Sequence, residues 1–214
     1  GLYSLAGAVG GGLEQNARHQ PEWHFLLYPP FCIHPVLARS RVRHVGDPVA
    51  VVIADSRYIA EDAAALVAVD YETLPVVGDC KAALEVDAPR VHRDAPNNLL
   101  AEYAIDYGDT DAAFADAPHV FSESLWQHRG CGHAIECRGG LAHHDPVEDR
   151  LTLWSSTQAP HTAMRMLVET LGWDETRVRV VTPDIGGGFG PKLVFYPEDV
   201  VLCAAAILCR YPVK

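Results

Sequence analysis

The feature that most restricts how this chain can fold is the run GGGFG at residues 186–190, with four glycines in five positions. Glycine lacks a Cβ, so the backbone can turn sharply there and lie close to another segment or a ligand. The amide groups of such a turn can also donate to oxygens of an anion. A strand-like segment precedes the run, and Pro197 marks a helix start after it. The pattern therefore predicts a strand–loop–helix unit whose loop is either a tight structural turn or a ligand site.

Two common phosphate-binding motifs do not fit this loop. The dinucleotide-binding pattern needs glycine at the sixth position from Gly186, where the chain has Pro191. The phosphate-loop pattern needs Lys followed by Ser or Thr, but Leu193 follows Lys192 and offers no hydroxyl to magnesium. A nucleotide-binding enzyme that uses the glycine-rich loop remains an alternative, and both mismatches count against it.

Hydrophobic periodicity and capping signals predict an α+β (mixed α/β) fold. The predicted strands cover residues 49–54, 67–71, 120–127, 151–155 and 177–182. Predicted helices begin near Ser56, near Asp109 or Thr110, at Pro160 and at Pro197, and Gly172 is expected to end the third. The segment His143-His144-Asp145 is interpreted as a solvated turn, and residues 78–108 as a loop that precedes a domain boundary.

Gln158 lies in the segment SSTQAPH, directly before a predicted helix N-terminus. A helix start favours an anionic or oxo ligand, so this position could meet one. Because serine and threonine are common in capped turns, a purely structural turn is the alternative.

Residues 132–140 hold a third group of polar side chains. We expect Glu136 and Arg138 to join one buried ion-pair network. Nearby histidines and cysteines could imitate a metal site, but we interpret them as ordinary polar residues, because zinc sites usually show tighter pairs. These are His128, Cys131, His133 and Cys137. No residue is assigned as a metal ligand.

The formal net charge of −11 disfavours nucleic acid and anionic membranes as partners. The longest apolar run, residues 200–209, is too short to span a bilayer. The six cysteines show no C-x-x-C pair, which argues against an iron–sulfur cluster or a zinc knuckle within the chain. We expect reduced thiols and a cytoplasmic protein.

Four segments occur in an order that resembles the large subunit of molybdenum hydroxylases, the xanthine dehydrogenase, aldehyde oxidase and carbon monoxide dehydrogenase family. They are residues 42–76, 132–140, 151–161 and 178–192. The resemblance implies part of an α/β hammerhead domain over residues 36–108 and the N-terminal part of the molybdopterin-binding domain over residues 109–214. Residues 1–35 match weakly.

The resemblance also implies a cofactor, molybdenum on a pyranopterin in its cytosine dinucleotide form. The implied reaction is oxidation of a small substrate with water-derived oxygen. FAD and 2Fe-2S centres would lie on partners, a flavin medium subunit and an iron–sulfur small subunit. In the family, the match to Gln158 lies beside a molybdenum oxygen ligand. The match to Gly187, Gly188, Phe189 and Gly190 wraps the cofactor, with the phenylalanine near the substrate side.

The family's large subunit is much longer than this chain, which begins at Gly1 without an initiator methionine. We therefore expect a piece of a subunit that is inactive alone, and we assign no catalytic base. A non-catalytic truncated or scaffold chain is a further alternative. In purine-oxidising members of the family that this chain resembles, the residue after the loop's lysine is a glutamate that hydrogen-bonds the heterocycle. Leu193 at that position implies an aldehyde, an N-heterocycle or carbon monoxide instead.

Overall fold

A computed structural model describes residues 35–102, 104–105, 107–128 and 130–214 of the chain. Its helices and strands, in chain order, are α1 (Arg57–Ala64), α2 (Thr110–Asp116), β1 (Gly140–Asp145), β2 (Arg150–Ser155), α3 (Pro160–Leu171), β3 (Val178–Val181) and α4 (Pro197–Cys209), with short 3-10 turns at Ala82–Leu84 and Glu175–Arg177. The predicted α+β class is confirmed. Apart from residue 35, the weakly matching segment 1–35 lies outside the described residues.

Local sequence signals place the helix starts and the end of α3 correctly. The Ser56 hydroxyl accepts the Ile59 N–H at 3.3 Å, and the Asp109 carboxylate accepts the Ala112 N–H at 2.9 Å. Pro160 opens α3, where a missing N–H costs nothing. Gly172 ends the same helix with φ +65°, a left-handed conformation that glycine adopts without strain. Among the described helices, none has the length and apolar character to cross a membrane.

The three strands form one sheet in the order β1-β2-β3. β1 and β2 are antiparallel, whereas β2 and β3 are parallel, so α3 must connect them as a crossover. The core lies where α3 and α4 pack on this sheet, and Leu151, Leu153 and Leu167 are fully buried in it. α4 was expected to be buried all round; its middle is, but Leu208 is 49% exposed.

Three predicted strands, residues 49–54, 67–71 and 120–127, are wrong: the structure forms no ladder at any of them. A strand needs a neighbour that pairs its backbone groups, and within the described residues no ladder hydrogen bonds join these three segments to another strand. Their apolar side chains are accordingly half-buried or exposed, as at Phe121, which is 87% exposed.

The solvated turn predicted at His143-His144-Asp145 is also wrong. These residues form the second half of β1, where His144 pairs with Leu151 and Asp145 with Arg150. The turn follows one residue later, at residues 146–149. Cross-strand pairing explains the error, because these polar residues are ordered by their backbone partners on β2, Thr152, Leu151 and Arg150, which lie elsewhere in the chain.

Candidate functional site

The glycine-rich loop, residues 186–190, follows the carboxyl end of β3 and is strongly turned. Gly187 and Gly190 have φ of +96° and +93°, and Phe189 between them has φ +55°. Such left-handed conformations favour glycine, which explains two of the loop's glycines. Within the described part of the chain, the amides of Gly187, Gly188 and Phe189 have no hydrogen-bond acceptor. They are therefore available to oxygens of a ligand.

Gln158, at the turn between β2 and α3, lies against this loop. Its side-chain Oε1 accepts the Gly190 N–H at 3.0 Å, and its own N–H donates to the Lys192 carbonyl at 2.8 Å. A Cβ placed on Gly188 would lie only 2.5 Å from the same Oε1. Only glycine leaves room for the glutamine amide there. The structure thus brings together all the residues expected at the cofactor.

The sequence analysis singled out residues 132–140 but did not predict that residues 132–136 pack against the back of the loop. The residues that face the loop alternate along it: Gly132, Ala134 and Glu136. A Cβ on Gly132 would lie 2.7 Å from the Phe189 Cβ, so this glycine also permits a close approach. Small residues at the alternate positions 132 and 134 could have indicated close packing against another segment. The sequence analysis instead considered only the polar residues around them.

The Glu136 carboxylate also forms hydrogen bonds to residues at both ends of the loop. Its Oε2 accepts the Gly186 N–H at 2.9 Å and lies 2.5 Å from the Lys192 ammonium. The Lys192 side chain is only 2% exposed. The hydrogen bond from Lys192, and then that from Gly186, hold the pKa of Glu136 below its ordinary value.

The predicted buried network of Glu136 with Arg138 is wrong. Arg138 pairs instead with Glu198 at 2.9 Å, and neither side chain is buried, with exposed fractions of 41% and 63%. Its guanidinium also lies 3.5 Å from the ring centre of Tyr196. The chain bends at residues 135–136, which sends the two side chains to different partners.

Two side chains present apolar surface at the loop. Phe189 lies within the loop and is 73% exposed, and Leu193 follows it and is 54% exposed.

The cysteines and histidines near residue 132 do not form a metal site in the described part of the chain. The Cys131 Sγ lies 3.6 Å from the His133 Nε2, but among the described residues no three His, Cys, Asp or Glu side chains are grouped to hold a metal ion.

Comparison with known proteins decides the family. Residues 91–214 match the family model of the molybdopterin cofactor-binding domain. The chain belongs to this family of molybdenum hydroxylase large subunits. Residues 24–75 match the a/b hammerhead domain of aldehyde oxidase and xanthine dehydrogenase. The resemblance seen in the sequence is confirmed, while the division between residues 108 and 109 stays a prediction.

Several characterised molybdenum hydroxylases are similar to the chain. It is 41% identical to the nicotine 6-hydroxylase large subunit of Paenarthrobacter nicotinovorans and 39% identical to the carbon monoxide dehydrogenase large chain of Hydrogenophaga pseudoflava, over 84% of this chain in each case. The crystal structure of quinoline 2-oxidoreductase from Pseudomonas putida 86 superposes on 85% of it with a TM-score of 0.77 and 34% identity. The chain spans 22% to 24% of the length of these relatives.

Proposed function

We propose that the chain forms part of the large subunit of a molybdenum hydroxylase, and that Gln158 and the loop residues Gly187, Gly188, Phe189 and Gly190 hold its molybdenum–pterin cofactor. When bound, this cofactor supplies the redox centre at which a substrate is oxidised with water-derived oxygen. One observation carries the proposal: the Gln158 amide is fixed so that its nitrogen is free to donate.

That orientation follows from hydrogen-bond chemistry. A backbone N–H donates only to an acceptor, so the atom that meets Gly190 must be the amide oxygen of Gln158. The amide nitrogen then points away from this contact and has no partner among the described residues. Gln158 itself is two residues before Pro160, the first residue of α3, and the dipole at a helix N-terminus favours negative charge. An oxygen of the cofactor fits this donor.

The loop fits the same group for a second reason. Three consecutive amides, those of Gly187, Gly188 and Phe189, have no acceptor within the described residues. The absence of side chains at residues 187 and 188 lets the loop backbone pack against Gln158 and Ala134, and both residues remain partly exposed. Turned amides of this kind bind anionic oxygens without a lysine or arginine. The residues present therefore suit a cofactor rich in oxygen atoms.

The substrate we propose is small and largely apolar: an aldehyde, an N-heterocycle or carbon monoxide. Leu193 can neither donate nor accept a hydrogen bond, so a purine edge against it loses water without gaining a partner, which costs about 1–3 kcal/mol. The names of similar proteins, a nicotine hydroxylase and a quinoline oxidoreductase, support heterocycles.

The rest of the proposal concerns the assembly. We propose the cytosine dinucleotide form of the cofactor, an iron–sulfur small subunit with 2Fe-2S centres, a flavin medium subunit with FAD, and a cytoplasmic location. Relatives named as large subunits and large chains support partner subunits. Residues 36–108 would belong to the hammerhead domain and residues 109–214 to the molybdopterin-binding domain.

The test compares Gln158→Glu with Gln158→Ala in the complete enzyme. Glutamate keeps an oxygen for the Gly190 N–H but removes the donor, whereas alanine removes both. If Gln158 donates to the cofactor, both variants lose about 10²-fold in kcat. Full turnover of Gln158→Glu with full molybdenum content contradicts the proposal, because it leaves Gln158 only a structural role.

A further inference from the structure

The glycine-rich loop is closed by a single carboxylate oxygen. Glu136 Oε2 accepts the N–H of Gly186, where the loop begins, and lies 2.5 Å from the ammonium of Lys192, two residues after the loop ends. The two contacts approach the same atom from opposite ends of a seven-residue segment. Removing the Glu136 carboxylate would therefore take one side-chain contact from each end of the segment, although the Gly186 carbonyl would still accept the Glu136 N–H at 3.4 Å and the Lys192 carbonyl would keep its own hydrogen bonds.

Lys192 links this closure to Gln158. The Lys192 carbonyl accepts the N–H of Gln158 at 2.8 Å and the hydroxyl of Thr157 at 3.2 Å. The Gln158 side chain in turn accepts the N–H of Gly190. Glu136, Lys192, Gln158 and the loop thus form a closed ring of hydrogen bonds. The position of the Gln158 amide depends on every member of the ring.

We propose that Glu136 and Lys192 are positioning residues whose ion pair, here called the clamp, holds the loop and Gln158 in the arrangement that receives the cofactor. This inference rests on the proposed function of the loop. It assigns a role to a pair that lies 56 positions apart in the sequence.

The burial of Lys192 separates this role from direct binding. Its side chain is 2% exposed, so the ammonium cannot reach a ligand on the loop's open face without leaving its site. A buried ammonium is stable only with a paired charge, and Glu136 is its partner. Glu136 is 43% exposed, so its carboxylate remains hydrated without the lysine.

This asymmetry gives the pair a recognisable mutational pattern. Glu136→Gln leaves a buried ammonium without a counter-charge, whereas Lys192→Met leaves an accessible carboxylate still bonded to Gly186. The double variant removes both charges and should be milder than Glu136→Gln alone. Direct binding of the cofactor by Lys192 predicts a different order, in which Lys192→Met is the most damaging and the double variant no better.

The measurements are amide hydrogen exchange at Gly186 and Gly190 and the molybdenum content, both in the complete subunit. Exchange is followed in cofactor-free and cofactor-loaded protein, so loop order is measured apart from activity. We expect Glu136→Gln to accelerate exchange at both amides roughly tenfold or more and to lower molybdenum content, and the double variant to recover most of both. Glu148→Gln and Arg150→Met, which break an exposed ion pair in the β1–β2 hairpin, serve as controls and should leave both readouts unchanged.

The results of these two measurements distinguish a failure of the clamp proposal from a failure of the cofactor proposal. Loop exchange that does not respond to Glu136→Gln overturns the clamp, whatever the molybdenum content. A loosened loop with full molybdenum overturns both the clamp's role and the proposed cofactor site. Loss of molybdenum that is greatest in Lys192→Met and persists in the double variant overturns positioning in favour of direct binding.

Discussion

Replacing Gly188 with alanine tests the packing of Gln158 against the loop. The φ of Gly188 is not in the left-handed region, so alanine is compatible with the backbone and the effect is steric. The new methyl group would lie 2.5 Å from the Gln158 Oε1 and 2.7 Å from its Cγ. Ordinary contacts begin near 3.5 Å, so the amide must retreat by about 1 Å.

The expected magnitude follows from this displacement. Overpacking of this size typically costs about 1–3 kcal/mol. If the amide swings away to relieve it, the Gly190 N–H loses its acceptor, which costs about 0.5–1.5 kcal/mol and exposes that amide to exchange. Gly188→Ala should therefore behave like Gln158→Ala and lower kcat by about 10²-fold.

The assay is a double-mutant cycle in the complete enzyme, with kcat and Gly190 amide exchange as readouts. In the Gln158→Ala background the clash partner is gone, so Gly188→Ala should reduce kcat by no more than about threefold further. Gly139→Ala is the matched control, because a Cβ there meets nothing within 4 Å. The reasoning would be refuted if the losses of kcat caused by Gly188→Ala and Gln158→Ala multiplied in the double variant. A Gly188→Ala variant with unchanged kcat would refute it as well.

Three further predictions follow from the site and the sheet. Steady-state kinetics across purines, aldehydes, N-heterocycles and carbon monoxide should not give xanthine or hypoxanthine the highest kcat/KM, and a xanthine maximum would contradict the substrate proposal. Leu193→Glu should raise kcat/KM for purines relative to quinoline-like substrates; no change in that ratio would show that Leu193 does not contact substrate. Arg177 and then His144 hold the pKa of Asp149 below its ordinary value, so its stabilising effect is complete above about pH 4 and is lost as the pH falls through the lowered pKa. Asp149→Asn should therefore lower Tm at pH 7 but not below that window, and an equal Tm difference at both pH values would argue against the ion pair.

The helices were predictable because their signals are local. Ser56, Pro160 and Gly172 act within one turn of their own positions, so a single sequence is enough to place them. The strands predicted at residues 49–54 and 120–127 are wrong because strand formation cannot be judged in this way. An apolar run reports a tendency to be buried, but a ladder depends on a neighbour elsewhere in the chain.

The candidate site also contains residues that the sequence predicted and residues that it did not. Gln158 and the loop were expected together because their order along the chain resembles a known family, although they are 32 residues apart. The Glu136–Lys192 pair was missed because Arg138, two positions away, was the nearer cation in sequence. A bend at residues 135–136 separates those two side chains, and no periodicity in the sequence indicates it.

The most direct test of the cofactor site is amide hydrogen exchange at residues 186–192 in the complete large subunit, purified with and without molybdenum cofactor. The amides of Gly187, Gly188 and Phe189 have no acceptor within the described residues, so the account predicts that cofactor loading protects these three. The β1–β2 hairpin should exchange equally in both forms. Protection that falls elsewhere, with these three amides unchanged, would contradict the proposal that this loop holds the cofactor.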